Sequence, residues 1–169
     1  MQKQLGLESK REKYLQFLNQ CKTMVISTVD ESGDPFISYA PFVIHEGHFY
    51  IFISKISEHF RYIEDNSYIS VMMLADEKDS PNLFARERVR FKCTTECVGN
   101  DGKGDIFAKF EHIHGSALMR LLRTIDMYLF KLTPVAGRYV AGFGEAFEVN
   151  VQGTQFTHVV VERRSGGKI

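Results

Sequence analysis

Apolar and polar positions change period several times along this chain, and each change marks an element. Over residues 8–21, Tyr14, Leu15, Phe17 and Leu18 recur at helical spacing among Lys, Arg and Gln, which predicts one amphipathic helix laid across a sheet. The period then shortens. Residues 23–29 are β-branched and apolar-rich, Asp30-Glu31-Ser32-Gly33-Asp34-Pro35 carries turn chemistry, and residues 36–44 extend again, so the pair reads as a hairpin. A second turn, His45-Glu46-Gly47-His48, with both histidines expected in solvent, feeds Phe49-Tyr50-Ile51-Phe52-Ile53. That run is apolar without alternation, which predicts burial on both faces. Residues 54–66 read as a helix with Ser57 at its N-cap and Phe60 and Ile63 on one face, and residues 68–74 return to strand. After a solvated loop at 75–81, residues 85–98 alternate as a long antiparallel strand. Glycines 99, 102 and 104 break the chain, residues 105–123 read as one helix, and residues 128–132 and 137–141 read as two closing strands that end in Gly142-Phe143-Gly144. Short hairpins with few helices predict a mainly β fold, a small antiparallel barrel with peripheral helices.

At 169 residues and 44% hydrophobic, the chain can fill one core and not comfortably two. One domain is expected over residues 1–169, with its core at about 23–149, a helix at 8–21 and a C-terminal arm at 150–169. Lys+Arg and Asp+Glu are both 21, so bulk charge gives no attraction to nucleic acid or to an anionic membrane, and any basic site must be local. Cys21, Cys93 and Cys97 are odd in number and lack a second pair at zinc-site spacing, which suggests buried thiols in a reducing compartment. The amino terminus is charged rather than apolar, and no run approaches the ~20 apolar residues of a membrane span. A cytoplasmic protein is the expectation.

Candidate chemistry concentrates where two successive strands end. Ser38 and Tyr39 lie in Ser38-Tyr39-Ala40-Pro41-Phe42-Val43, and Ser54, Lys55, His59 and Arg61 lie in Ser54-Lys55-Ile56-Ser57-Glu58-His59-Phe60-Arg61. A phosphate or carboxylate needs two or three converging donors, and a strand end followed by the first turn of a helix can supply them. The same residues also suit a helix cap and a solvated face. Arg86, Arg88 and Arg90 alternate, which would place them on one face of a strand, compensated either by the acidic loop at 76–79 or by a bound anion. Asp126 precedes a strand and reads equally as a buried proton donor or as a turn residue in water. His112 and His114 are too close in sequence to share a helix face as metal ligands. His158, in a late strand, fits a structural histidine.

As a set, the Ser38–Val43 segment, Ser54 with His59 and Arg61, Leu83-Phe84-Ala85-Arg86-x-Arg88, Asp126-x-x-Leu129-Phe130-x-Leu132 and Gly142-Phe143-Gly144-x-Ala146 resemble the heme-utilisation proteins of the HugZ/HutZ type. These are a branch of the pyridoxamine 5′-phosphate oxidase-like, FMN-binding split barrels. The resemblance runs over about 23–149 and implies a six-stranded antiparallel split β-barrel forming a homodimer, with a cofactor at the subunit interface; because a split barrel of this size leaves open sheet surface to cover, Phe36, Tyr39, Phe42 and part of 86–91 are expected at or near the two-fold. In flavin-binding relatives the cofactor is FMN, its phosphate held by residues like those near Ser38, Ser54, Lys55 and His59. In heme-degrading relatives it is heme, with Arg88-like residues near the propionates, an Asp at the place of Asp126 assisting oxygen chemistry, and a histidine of a C-terminal loop on the iron. The tail 161–169 has no histidine, and Arg163 or Arg164 falls about where it would be, which leaves His158 as the nearest candidate for the heme iron. Three functions are consistent with this: heme binding with oxidative degradation and an unidentified electron donor, an FMN-dependent oxidoreductase, or a heme or flavin carrier without chemistry.

Overall fold

The computed structural model describes residues 2–160. In chain order the elements are α1 (Gln2–Gln20), β1 (Thr23–Val29), β2 (Pro35–His45), β3 (His48–Ser54), α2 (Glu58–Asp65), β4 (Tyr68–Leu74), β5 (Arg88–Cys97), α3 (Gly104–His114), α4 (Ser116–Leu122), β6 (Met127–Gly142), β7 (Glu145–Val149) and β8 (Phe156–His158). Two short 3₁₀ turns, Glu77–Asp79 and Leu83–Ala85, lie between β4 and β5.

The strands run antiparallel in the order β3-β2-β1-β4-β5-β6-β7-β8, and β3 also pairs with β6 from Phe49↔Leu132 to Ser54↔Met127. That second pairing closes six strands into a barrel, with β7 and β8 appended to its rim. The split-barrel expectation holds, and the two added strands extend it.

Strand alternation divides the side chains between two environments. Met24, Ile26, Phe42, Phe49, Ile51, Val71, Phe91, Phe130, Leu132 and Tyr139 fill the barrel. α1 covers one mouth with Tyr14, Phe17 and Leu18, its Tyr14 hydroxyl donating to the Asn150 carbonyl at 2.8 Å. At the other end α2 inserts Phe60 and Ile63, and Phe60 meets Phe130 edge-on at 4.9 Å. On the outside of β2, β3 and the first half of β6, a second cluster of Val43, Tyr50, Phe52 and Leu129 is covered by Ile106, Phe107 and Phe110 of α3 and Met119 of α4. This explains why β3 is apolar on both faces.

Several boundaries differ from the sequence reading. The helix expected at 105–123 is two helices, because Gly115 takes a positive φ of 94° that ends the first. The two closing strands are one, β6, which passes Pro134 at a bulge opposite Lys92 and Cys93, where no amide donor is needed. β5 starts at Arg88 rather than 85, since Asn82 accepts the Phe84 amide at 3.0 Å and holds 83–85 in a 3₁₀ turn. Cys93 is buried and burial raises its thiol to about 12, but Cys97 is exposed. His45 and His48, expected in solvent, are half-buried, and the Thr133 hydroxyl lies 3.1 Å from His48 Nδ1.

Gly137, paired with Phe91, has a steric reason. A Cβ there would lie 2.5 Å from both Phe91 Cε1 and the Val149 carbonyl oxygen. The oxygen belongs to the ladder and cannot retreat. Gly137→Ala should therefore destabilise the barrel by about 1–3 kcal/mol, read as a lower denaturant midpoint at unchanged slope.

Candidate functional site

The expected site residues separate into distinct places. At the end of β3, Ser54, Lys55 and Asp126 come together, the Lys55 amide donating to the Asp126 carbonyl at 2.9 Å. Asp126 is exposed, so it is the turn residue in water rather than a buried acid. Lys55 is exposed too, with Nζ 5.6 Å from the Tyr128 ring centre. Ser57 occupies the N-cap position of α2, but its hydroxyl donates back to the Ser54 carbonyl at 2.5 Å and does not cap. This leaves the Glu58 and His59 amides open to an anion, the Phe60 amide being engaged by the Ser57 carbonyl at 3.1 Å, with Lys55 beside them and the Glu58 carboxylate opposing. His59 is half-buried in that turn, and desolvation lowers its pKa, so near neutral pH it offers a neutral N–H.

Ser38 and Tyr39, adjacent on β2, point to opposite faces. Ser38 faces inward, opposite Ile26, and its buried hydroxyl has no partner; the Thr28 hydroxyl, on the same side of β1, is equally unpaired. Phe36 meets Tyr62 of α2 at 4.8 Å, so Ser38, two residues further along β2, looks toward the His59 end of the helix. Tyr39 stands outside. Arg61 is engaged elsewhere: its guanidinium bonds Glu31 at 2.7 Å and the Tyr62 hydroxyl at 3.2 Å.

The three arginines do not share a strand face. Arg86 precedes β5 and donates to the Ala75 carbonyl at 2.7 Å and to Glu77 at 3.1 Å. Arg88 and Arg90 do face outward together with Lys92, while Val89, Phe91 and Cys93 face in. The register continues this outer face as a row across the sheet: Tyr39, Val25, Met72, Arg90, Arg138, Glu148 and Thr157 are successive cross-strand neighbours.

Two hollows of about 220–230 Å³ flank the Arg90–Arg138 pair. Met72, Arg88 and Val140 complete one. Lys92, Glu148 and Gln155 border the other. Among the described residues the counter-charge here is Glu148, 3.2 Å from Arg138; Arg90 has no ion pair, and Arg88 donates to its own chain's Arg86 carbonyl at 2.8 Å. An outward face with adjacent guanidinium groups, of which Arg90 has no counter-charge, can hold an anionic ligand. Arg138 and Arg90 as cross-strand partners could not be read from sequence, because their adjacency depends on the β5–β6 register.

His158 lies on the other side of this sheet. It pairs with Phe147, on the row that continues inward to Tyr139, and its ring packs edge-on against Phe147 at 5.2 Å. Its Nε2 is 3.2 Å from the Gly144 carbonyl, which can only accept. Within one chain it does not join Arg88 and Arg90. Arg163 and Arg164 lie outside the described residues. No group of three or more His, Cys, Asp or Glu suited to a metal ion occurs among the described residues.

A family model described as pyridoxamine 5′-phosphate oxidase matches residues 11–141. The chain belongs to this family. It is 36% identical over 137 residues to the heme oxygenase HutZ of Vibrio cholerae, covering 80% of this chain and 78% of HutZ. The crystal structure of Vibrio cholerae HutZ, described as a heme storage protein, superposes with a TM-score of 0.68 at 33% identity over 73% of this chain and 88% of that one. Campylobacter jejuni ChuZ superposes at 0.81 with 29% identity over 90% of this chain; the chain spans 63% of ChuZ. The heme-utilisation resemblance is thus supported by sequence and by structure. No helix among the described residues is long and apolar enough to cross a membrane.

His48, His59 and His114 all have pKa values lowered from 6.5, burial being the first cause in each. The folded state binds these protons less readily than the unfolded state. Their contribution to stability is therefore complete above pH 6.5 and is lost as pH falls below it. The denaturant midpoint should be nearly flat from pH 8 to 7 and drop between pH 6.5 and 5, with a smaller drop after His59→Gln.

Proposed function

We propose that this protein binds heme on the outer face of β4, β5 and β6, with the acid groups of the porphyrin on Arg88, Arg90 and Arg138 and its apolar plane toward Met72, Val25 and Tyr39. The observation that carries this reading is the Arg90–Arg138 pair with its two hollows, next to apolar neighbours in the same cross-strand row. A ligand with an apolar plane and two carboxylates on one edge matches that division. The relationship to HutZ supports it. Bound heme would supply the redox-active iron that oxidative ring opening uses, with electrons from a separate donor. The chain's own part is to hold the carboxylates and exclude water from the plane. Storage or carriage without chemistry uses the same contacts.

The same outer face carries Ile37 and Tyr39, 71% and 58% exposed, and the half-exposed Tyr68. Apolar residues grouped on an open sheet face suit burial against a second copy, so a homodimer completing the heme face is part of the proposal. Phe42 takes no part in that interface, since it is buried inside the barrel against Phe49. Phe36 is half-buried under α2. The free thiols fit the reducing cytoplasm.

FMN is the second reading. The uncapped start of α2, with Ser54, Lys55 and His59, suits one phosphate, and the unpaired Ser38 and Thr28 hydroxyls lie toward that end of the barrel. The family match favours this reading only at the level of the fold.

Titration with hemin and with FMN separates the two, a shifted Soret band marking heme. Arg88→Ala and Arg90→Ala should each weaken hemin roughly tenfold to a hundredfold, the loss expected for a hydrogen bond to a charged group, with unchanged melting curves. If both leave hemin affinity unaltered, the outer-face site is wrong. If FMN binds and hemin does not, the second reading takes over, and His59→Ala should then weaken FMN. His158→Ala should leave the Soret band of bound hemin unchanged. A displaced band would move the iron ligand to the β7–β8 edge.

A further inference from the structure

Away from the arginine face, a cavity of about 400 Å³ opens between the end of α1, the middle of β2 and α3. Its accessible apolar lining comes from Ile44 of β2 and Ile113 of α3, over a floor where Leu18 of α1 and Val43 of β2 are almost fully buried, and Cys21 borders it. Neither the family relationship nor the heme reading gives it a role.

α3 explains how the cavity arises. Ile106, Phe107 and Phe110 form the stripe that packs on β3, Phe107 meeting Phe52 edge-on at 5.3 Å. Positions 108, 109, 112 and 113 form a different stripe, turned toward α1 across the cavity. That stripe places Lys109 and His112 three residues apart, on adjoining turns at the border of an apolar hollow. Neither makes an ion pair among the described residues. On α3 itself Asp105 lies one turn before Lys109 and Glu111 adjoins His112, neither within ion-pair distance, and Glu87, which acts on Cys21, is already held by the Tyr139 hydroxyl and lies 3.6 Å from Lys13.

An apolar hollow within the ordinary size range of small-molecule sites, with uncompensated positive charge at one border, selects a particular chemistry. The ligand needs an apolar body for the walls and one acid group for the lysine and histidine. A second acid group would find no second cation in the lining. We propose that this groove binds a small monocarboxylic acid with an apolar body, its carboxylate on Lys109 and His112 and its chain against Ile44 and Ile113.

Calorimetric titration of the full chain with octanoate, decanoate and dodecanoate tests this. Affinity should rise with chain length, by up to about fourfold for each methylene that enters the groove. Lys109→Glu should weaken every member of the series about tenfold or more. Ala108 is exposed on the same stripe, so Ala108→Trp should fill the groove, abolish binding and add a fluorescence reporter to a chain that has no tryptophan. In a Cys97→Ser background, dodecanoate should slow alkylation of Cys21, a readout that survives if the Trp variant fails to fold. The proposal is overturned if none of the acids binds at millimolar concentration, if Lys109→Glu leaves their affinity unchanged, or if Cys21 alkylates equally fast with and without dodecanoate. Light scattering that shows Ala108→Trp dissociating an oligomer would assign the groove to a second copy and sink the small-molecule reading.

Discussion

Everything in this fold depends on the seam between β3 and β6. An open sheet of this twist would leave two ladder edges unsatisfied and its inner residues half wet. Pairing Phe49 through Ser54 with Leu132 through Met127 removes those edges and turns one face into an interior. Once closed, the barrel needs only its mouths covered, and α1 and α2 do this with a few large side chains each. Closure also decides what the outer surface can be used for. The sector near the seam is shielded by α3 and α4, so the open outer face is left to β4, β5 and the far half of β6.

β6 carries this division of labour. Its first half belongs to the seam and packs Leu129 beneath the helices, while its second half presents Arg138 and Val140 on the open face. The bulge opposite Lys92 and Cys93 separates these halves, and Pro134 sits there because the irregular ladder does not call on its missing N–H. The unpaired hydroxyls of Thr28 and Ser38 run against this economy. Two buried donors left without partners cost stability, and such exceptions tend to mark places shaped by function or by water rather than by packing.

The strands from 23 to 74 were legible because alternation, turn residues and length all agreed there, and β1 and β4 fall where the pattern puts them. The errors came where one local signal stood for a tertiary fact. Residues 128–132 and 137–141 read as two strands, though the bulge at Pro134 carries one strand through. Residues 105–123 read as one helix, though the positive φ of Gly115 ends the first of two. The candidate site was legible as a list of residue types and much less as a constellation. Arg88 was visible by period, but its neighbours depend on register with strands about fifty residues downstream, which no local pattern encodes. Arg61 and Arg86 show the reverse: both looked available, and both are occupied by nearby acids or carbonyls. His158 was chosen by distance along the chain, and within one chain the pleat places it on the other face of the sheet from Arg88 and Arg90.

β5 writes two messages in alternating letters. Val89, Phe91 and Cys93 specify the interior, and Arg88, Arg90 and Lys92 specify what the surface can hold. Substitution at the outer letters can rewrite the charge of that face while the barrel stays intact, which gives such a scaffold room to change what its surface meets over evolutionary time. Insertion or deletion has no such freedom. A single-residue slip in β5 would send three cations into the core and a phenylalanine and a valine into water, so lineages of this fold should vary in letters along this strand and never in its length.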